Sequence, residues 1–112
     1  MYFQSATHEQ RFKEVKKVYG YDLANDQKAF VYLATSDILQ DAQLINVKEG
    51  SLLSNSNYNP SWLSSSQLRL TKLALNLFNS ANECDAITDV IDCLDLDNRK
   101  MLLQAITIRA GV

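Results

Sequence analysis

The chain has 112 residues, 46% hydrophobic and 21% charged, which excludes a disordered polymer and suffices for one domain with its own core. Its net charge of −2 gives no general attraction to nucleic acid or anionic lipid. No apolar run approaches the ~18 residues of a membrane span and no secretory signal is visible, so we expect a cytoplasmic protein that does not bind membranes.

The first five residues are set apart from the rest. Met1–Ser5 has the sequence Met-Tyr-Phe-Gln-Ser, which is similar to the end of the tobacco etch virus protease site used to remove purification tags. Such segments are excluded from reasoning about folds. We therefore predict an expression-tag scar over residues 1–5 and a single helical domain over residues 6–112.

Helical periodicity dominates the first 40 residues. A capping box of Thr7 and Gln10 predicts the start of a first helix, and Gly20 predicts its end. Its buried face is predicted to consist of Phe12, Val15 and Tyr19. A second helix is predicted from about Asn25 to Gln40, with a buried stripe of Ala29, Phe30, Leu33, Ala34 and Ile38.

The middle of the chain is less regular. Leu44, Ile45 and Val47 fit either a helical turn or a short strand, and we favour a helix for residues 42–50. Residues 50–66 form a predicted long loop rich in Ser and Asn, because these side chains bond their own backbone and favour turns.

Two start signals agree on a third helix from Ser65 to Asn79. Ser64 and Gln67 form a capping box, and Leu63 and Leu68 are spaced as a hydrophobic staple. One narrow polar stripe is predicted at Arg69, Lys72, Asn76 and Asn79. Apolar side chains cover most of the remaining circumference, which predicts a helix buried by its own domain: Leu68, Leu70, Leu73, Ala74, Leu75, Leu77 and Phe78.

Two further helices complete the prediction. The fourth spans about Asp85 to Leu94, with a buried face of Ile87, Val90, Ile91 and Leu94. The fifth begins at Asp97 as N-cap, has a Leu96–Met101 staple, and ends at Gly111. Its broad apolar surface comprises Leu102, Leu103, Ala105, Ile106 and Ile108. The expected fold is therefore an all-α, single-domain bundle of about five helices.

The C-terminal half carries a resemblance to known proteins. The segments "LRLTKLALNLFN" and "DVIDCLDLDNRKMLLQAITIRAG" are similar to a family of small uncharacterised helical proteins of Gram-positive bacteria and their phages or mobile elements. The likeness is strongest from Leu68 to Gly111. It implies a bacterial or phage protein of the cytoplasm and transfers no functional residue.

Reactive constellations are lacking in the sequence. His8 is the only histidine. Cys84 and Cys93 are isolated among acidic residues, so we expect both cysteines to be buried structural thiols. The segment that begins at Asp95 and Asp97 resembles the start of a calcium loop, but Arg99 and Ile106 stand where oxygen ligands are needed. We therefore expect no enzyme activity, no cofactor and no metal.

Protein binding is the function that we favour. The candidate partner-binding residues are an acidic helix face, two loop aromatics and part of the polar stripe: Asp85, Asp89, Asp92, Tyr58, Trp62, Arg69 and Lys72. For Trp62 the opposing interpretation, burial in the core, is favoured by the usual burial of tryptophan. The sequence gives no oligomeric state.

The alternative function is a small DNA-binding regulator of the helix–turn–helix type. The fourth and fifth helices are joined by a tight turn, and the basic residues for DNA would be Arg69, Lys72, Arg99 and Lys100. The acidic fourth helix opposes this function, because it would repel phosphates.

Overall fold

Five α-helices form the described part of the chain. The computed structural model describes residues 1–20, 22–46 and 61–112, and the backbone of residues 51–52. The helices are α1 (Ala6–Val18), α2 (Asn25–Ala34), α3 (Ser65–Phe78), α4 (Ile87–Asp92) and α5 (Leu96–Ala110). The predicted single helical bundle is confirmed.

Helix α2 is the centre of the bundle. Every residue from Ala29 to Ala34 is buried, and α2 contacts both α3 and α5. Helix α3 also contributes to the core as predicted, but its buried face is narrower than expected. That face consists of Leu70, Thr71, Leu73, Ala74 and Leu75, whereas Leu68, Leu77 and Phe78 are only partly buried. The most enclosed helix is therefore α2.

Of the three predicted helix N-caps, one is confirmed and two are wrong. At α3, Ser64 Oγ accepts from the Gln67 amide at 3.2 Å, and Gln67 Oε1 accepts from the Ser64 amide at 2.9 Å. This confirms the capping box. At α1 the N-cap is Ser5, and at α5 it is Asp95, so the predicted caps Thr7 and Asp97 are wrong. In both cases an equivalent oxygen-bearing side chain stands two residues earlier, and the helix gains length by using it.

The short fourth helix and the outer side of α5 also differ from expectation. Helix α4 begins only at Ile87, so Asp85 precedes it, and Ile87 itself is exposed. In α5 the buried residues are Met101, Leu102, Ala105 and Ile108, while Gly111 ends the helix with φ 77° as predicted. The exposed members of the predicted apolar surfaces are Leu96, Leu103 and Ile106, together with Tyr19 of the first helix region. The predicted Leu96–Met101 staple is wrong, because Leu96 faces outward.

Helix α2 ends at Ala34, six residues before the predicted end at Gln40, because turns and bends follow from Thr35. A single 3-10 turn covers Gln40–Ala42, and Ile45–Asn46 (β1) pairs antiparallel with Ser51–Leu52 (β2). The helix favoured for this segment is therefore wrong at Ile45. Val47 to Gly50, and residues 53–60 of the predicted Ser/Asn-rich loop, lie outside the described residues.

The first residues lie against the domain whose boundary was predicted at residue 6. Phe3 packs on the rings of His8, Phe12 and Tyr32, with centroid distances of 5.0, 5.6 and 5.8 Å. The Tyr2 amide donates to Gln104 Oε1 of α5 at 2.9 Å. The origin of Met1–Ser5 as an expression-tag scar stays a prediction.

Candidate interaction surface

The predicted acidic face divides into a paired and an unpaired part. Arg69 of α3 places its Nε 3.8 Å from Asp85 Oδ2, and its Nη1 donates to the Asp89 carbonyl oxygen at 3.5 Å. Asp89 and Asp92 lie exposed on α4, and neither side chain forms an ion pair with a described residue. Asp85 is thus a neighbour of Arg69, and Asp89 and Asp92 remain as the open acidic positions.

The outer side of α5 carries an apolar stripe that the sequence interpretation assigned to the core. Leu96 and Leu103 are 66% and 64% exposed, and Ile106 is also exposed. Leu96 and Leu103 are seven residues apart, so they lie on one line along the helix, opposite the buried Met101 and Ala105. Apolar residues surround α5, so the spacing of residues gave no signal for this outward position.

Basic side chains lie on both sides of this stripe. Arg99 and Lys100 are exposed, and helical geometry places them on either side of the line through Leu96 and Leu103. Arg99 Nε donates to the Ile91 carbonyl oxygen at 3.0 Å, which holds its guanidinium beside the last turn of α4. We call this region the α4–α5 surface, defined by Asp89, Asp92, Leu96, Arg99, Lys100, Leu103 and Ile106.

The loop aromatics are only partly described. Trp62 is 64% exposed, and its Nε1 donates to the Asp41 carbonyl oxygen at 3.0 Å. The favoured burial of Trp62 in the core is therefore wrong, because its ring lies on the surface with only the indole N–H satisfied by the backbone. Tyr58 lies outside the described residues.

The cysteines are not both buried. Cys84 is exposed, which contradicts the expectation of a buried thiol, because it lies in the segment before α4 and not on a packed helix face. Cys93 is half-buried, and its Sγ donates to the Val90 carbonyl oxygen at 3.1 Å. Among the described residues, no three His, Cys, Asp or Glu side chains are grouped as metal ligands. No helix in this part of the chain has the length and apolar character needed to cross a bilayer.

His8 is a buried residue that the sequence interpretation left beside the scar. The Gln4 amide donates to His8 Nδ1 at 3.1 Å, so Nδ1 carries no proton, and Nε2–H donates to the Tyr32 carbonyl oxygen at 2.8 Å. Burial lowers the pKa of His8, and this outweighs the opposite effect of the Tyr32 carbonyl. The neutral ring therefore joins the N-terminal segment to α2.

Comparison with known proteins gives a match to a protein family. A family model described as "Family of unknown function (DUF6075)" matches residues 1–112. The chain belongs to this family. The DUF6075 match covers the α4–α5 surface and also the first five residues. Neither a curated protein nor a solved structure matches the chain.

Proposed function

We propose that this chain is a non-catalytic protein–protein interaction module, acting in a bacterial cytoplasm as a regulator or inhibitor encoded on a phage or another mobile element. The observation that carries the proposal is the exposed apolar stripe of α5. Leu96 and Leu103 stand mostly in water on a helix whose opposite face is fully packed.

Exposed leucines grouped with charges are typical of a binding surface. A single exposed apolar residue needs no explanation, whereas a group of them bordered by polar residues marks a contact site. Burial of each leucine against a partner contributes about 25 cal/mol per Å² of apolar area, before the cost of association. The charges of Asp89, Asp92, Arg99 and Lys100 border the stripe and would select among partners.

Affinity capture with matched variants tests this function. The bait is the full chain, either unchanged or carrying Leu96→Ser with Leu103→Ser, exposed to an extract of the native host at moderate salt. The control is Val18→Ser, because Val18 is 50% exposed on α1, outside the α4–α5 surface. We expect specific proteins to be retained by the unchanged and control baits and lost by the double variant. Identical retention by all three baits would contradict the proposal.

A second candidate function is DNA binding by α5 as a recognition helix. It is favoured by the exposure of Arg99 and Lys100 in the first turns of α5, where such helices contact bases. It is opposed by Asp89 and Asp92 on the preceding helix, and by the engagement of Arg69 with Asp85. Binding to duplex DNA that weakens steeply as salt rises would establish it, and no such binding is expected.

A further inference from the structure

We infer that the occupant of the α4–α5 surface is a second copy of this chain, related by a two-fold axis. This inference rests on the proposed function, since it names the partner of the same surface. In such an interface one patch contacts its own counterpart, so a residue on α4 of one copy meets a residue on α5 of the other, and the reverse contact forms simultaneously. A surface suited to this must carry complementary features side by side.

The charges on the α4–α5 surface meet that requirement. Asp89 and Asp92 are exposed on α4, and Arg99 and Lys100 are exposed on α5, which begins four residues after the last residue of α4. Within the described residues none of the four side chains forms an ion pair, although three other pairs form elsewhere. Two acids and two bases on one surface thus lack an ion-pair partner in the part of the chain that the structure describes.

The apolar side chains of this surface lie on α5. Leu96, Leu103 and Ile106 are exposed there, so α5 contributes apolar area and basic charge, and α4 contributes acidic charge. A two-fold axis would place the α5 stripe over α4 and α5 of the other copy, with the acids of each opposite the bases of the other. Two such charge contacts would form per dimer and fix the register of the apolar contact.

The placement of acidic and basic side chains on the same surface favours a closed dimer over a filament of many copies. Acid and base on opposite sides of the molecule would join copies head to tail, which produces rings or filaments. Here Arg99 Nε bonds the Ile91 carbonyl oxygen at 3.0 Å, so the basic side chain lies beside the acidic helix. When the acidic and basic patches share one surface, a two-fold contact buries both of them in both copies. No patch then remains to bind a third copy, so the assembly ends at a dimer.

Reciprocal charge reversal tests this arrangement. One variant carries Asp89→Lys with Asp92→Lys, and the other carries Arg99→Glu with Lys100→Glu. Each alone places like charges in both contacts, so the dimer should weaken at least about tenfold. In an equimolar mixture, the introduced lysines face the introduced glutamates, and the remaining natural pair is intact. We expect the mixture to recover a dimer by sedimentation velocity and multi-angle light scattering.

Two controls separate assembly from folding. At a concentration where both chains are monomeric, the lysine variant should melt at the same temperature as the unchanged chain or higher, because Asp89 and Asp92 are exposed and form no ion pair with a described residue. Since Arg99 bonds Ile91, Lys100→Glu alone serves as a variant that keeps this bond, and it should weaken the dimer to a smaller extent. Higher salt should weaken the unchanged dimer.

The outcomes distinguish this inference from the proposed function. An unchanged chain that stays monomeric up to millimolar concentration at low salt would overturn the second copy as occupant, as would a dimer that either charge reversal leaves intact. A monomer that still captures a different protein through Leu96 and Leu103 would leave the proposed function standing. A concentration-dependent dimer that is lost in each variant and recovered in the mixture supports the inference.

Discussion

His8 gives the molecule a pH-dependent stability at the scale of one residue. Protonation of its Nδ1 would place two N–H groups face to face, because the Gln4 amide already donates to that nitrogen. Asp37 opposes and Arg11 assists the lowering of the His8 pKa, and burial is the largest cause. The folded state therefore favours the neutral ring more strongly than the unfolded chain does.

The sign of the pH effect follows from linkage. The pKa of His8 is lowered from 6.5, so between 6.5 and its lower folded value the unfolded state binds more protons, and stability rises with pH. We expect the free energy of unfolding to be highest above pH 6.5 and to fall as pH drops through the folded pKa. Urea unfolding of the unchanged chain and of His8→Gln, between about pH 7.5 and 5, checks this. A slope that persists unchanged in His8→Gln would assign the effect to other groups.

The two thiols should differ in their rate of modification. Cys84 is exposed and Cys93 is half-buried with its Sγ bonded to the Val90 carbonyl oxygen. We expect a thiol reagent to label Cys84 rapidly in the native protein and Cys93 more slowly, with both labelled fully after denaturation. Cys84→Ser and Cys93→Ser identify the two phases in a time course. Equal slow labelling of both would contradict the exposed position of Cys84.

At the scale of one element, α3 shows how burial along a helix sets the cost of truncation. Leu75 is buried, whereas Phe78 is partly buried with its ring 5.3 Å from that of Phe30. Leu75→Ala should lower the free energy of unfolding by about 2–5 kcal/mol through the cavity that it leaves. Leu103→Ala on the outer side of α5 is the matched control, with a change within about 0.5 kcal/mol.

Phe78→Ala should fall between these two, and thermal or urea unfolding ranks the three variants. A cost for Leu75→Ala no larger than that for Leu103→Ala would remove α3 from the core.

The N-terminal segment behaves as an element of the fold although it is not a helix. Removal of Met1–Gln4 deletes Phe3 from the aromatic cluster and the Gln4 amide from His8. Full burial of a Phe side chain contributes about 1.5–3 kcal/mol to the free energy of unfolding. Phe3 is only partly buried, so we expect the truncation to lower the free energy of unfolding by about 1–2 kcal/mol. Differential scanning calorimetry of the chain that starts at Ser5 measures it. An unchanged melting temperature would agree with the predicted inert scar.

For the whole molecule, the sequence predicted features that neighbouring residues determine better than features that tertiary contacts determine. The start of α3 was predictable because Ser64 and Gln67 form a cap within four residues, with no help from the rest of the fold. The outward position of Leu103 was not, because apolar residues surround α5 and periodicity alone does not say which side meets α2. The overall helical class followed from the period, whereas the choice of buried face depends on tertiary contact.

The candidate surface also combines residues whose position follows from local spacing with residues whose position depends on tertiary contacts. Asp89 and Asp92 were predictable as exposed acids from their spacing, and the structure places them so. The sequence did not distinguish Asp85 from these two residues, because the position of Asp85 beside Arg69 depends on how α3 and the segment before α4 pack together. The role of His8 depends on Tyr32, which is 24 residues away, and on Gln4, which belonged to the segment set aside as a scar.

The bond between Tyr2 and Gln104 bears on the order of folding. It joins residues 102 positions apart, so residues 1–4 reach all of their final contacts only when α5 is in place. Phe3 meets Phe12 of α1 and Tyr32 of α2 through contacts of much shorter sequence separation. Contacts between distant residues cost more chain entropy to close, so we expect the Tyr2–Gln104 bond to form after the aromatic contacts of Phe3.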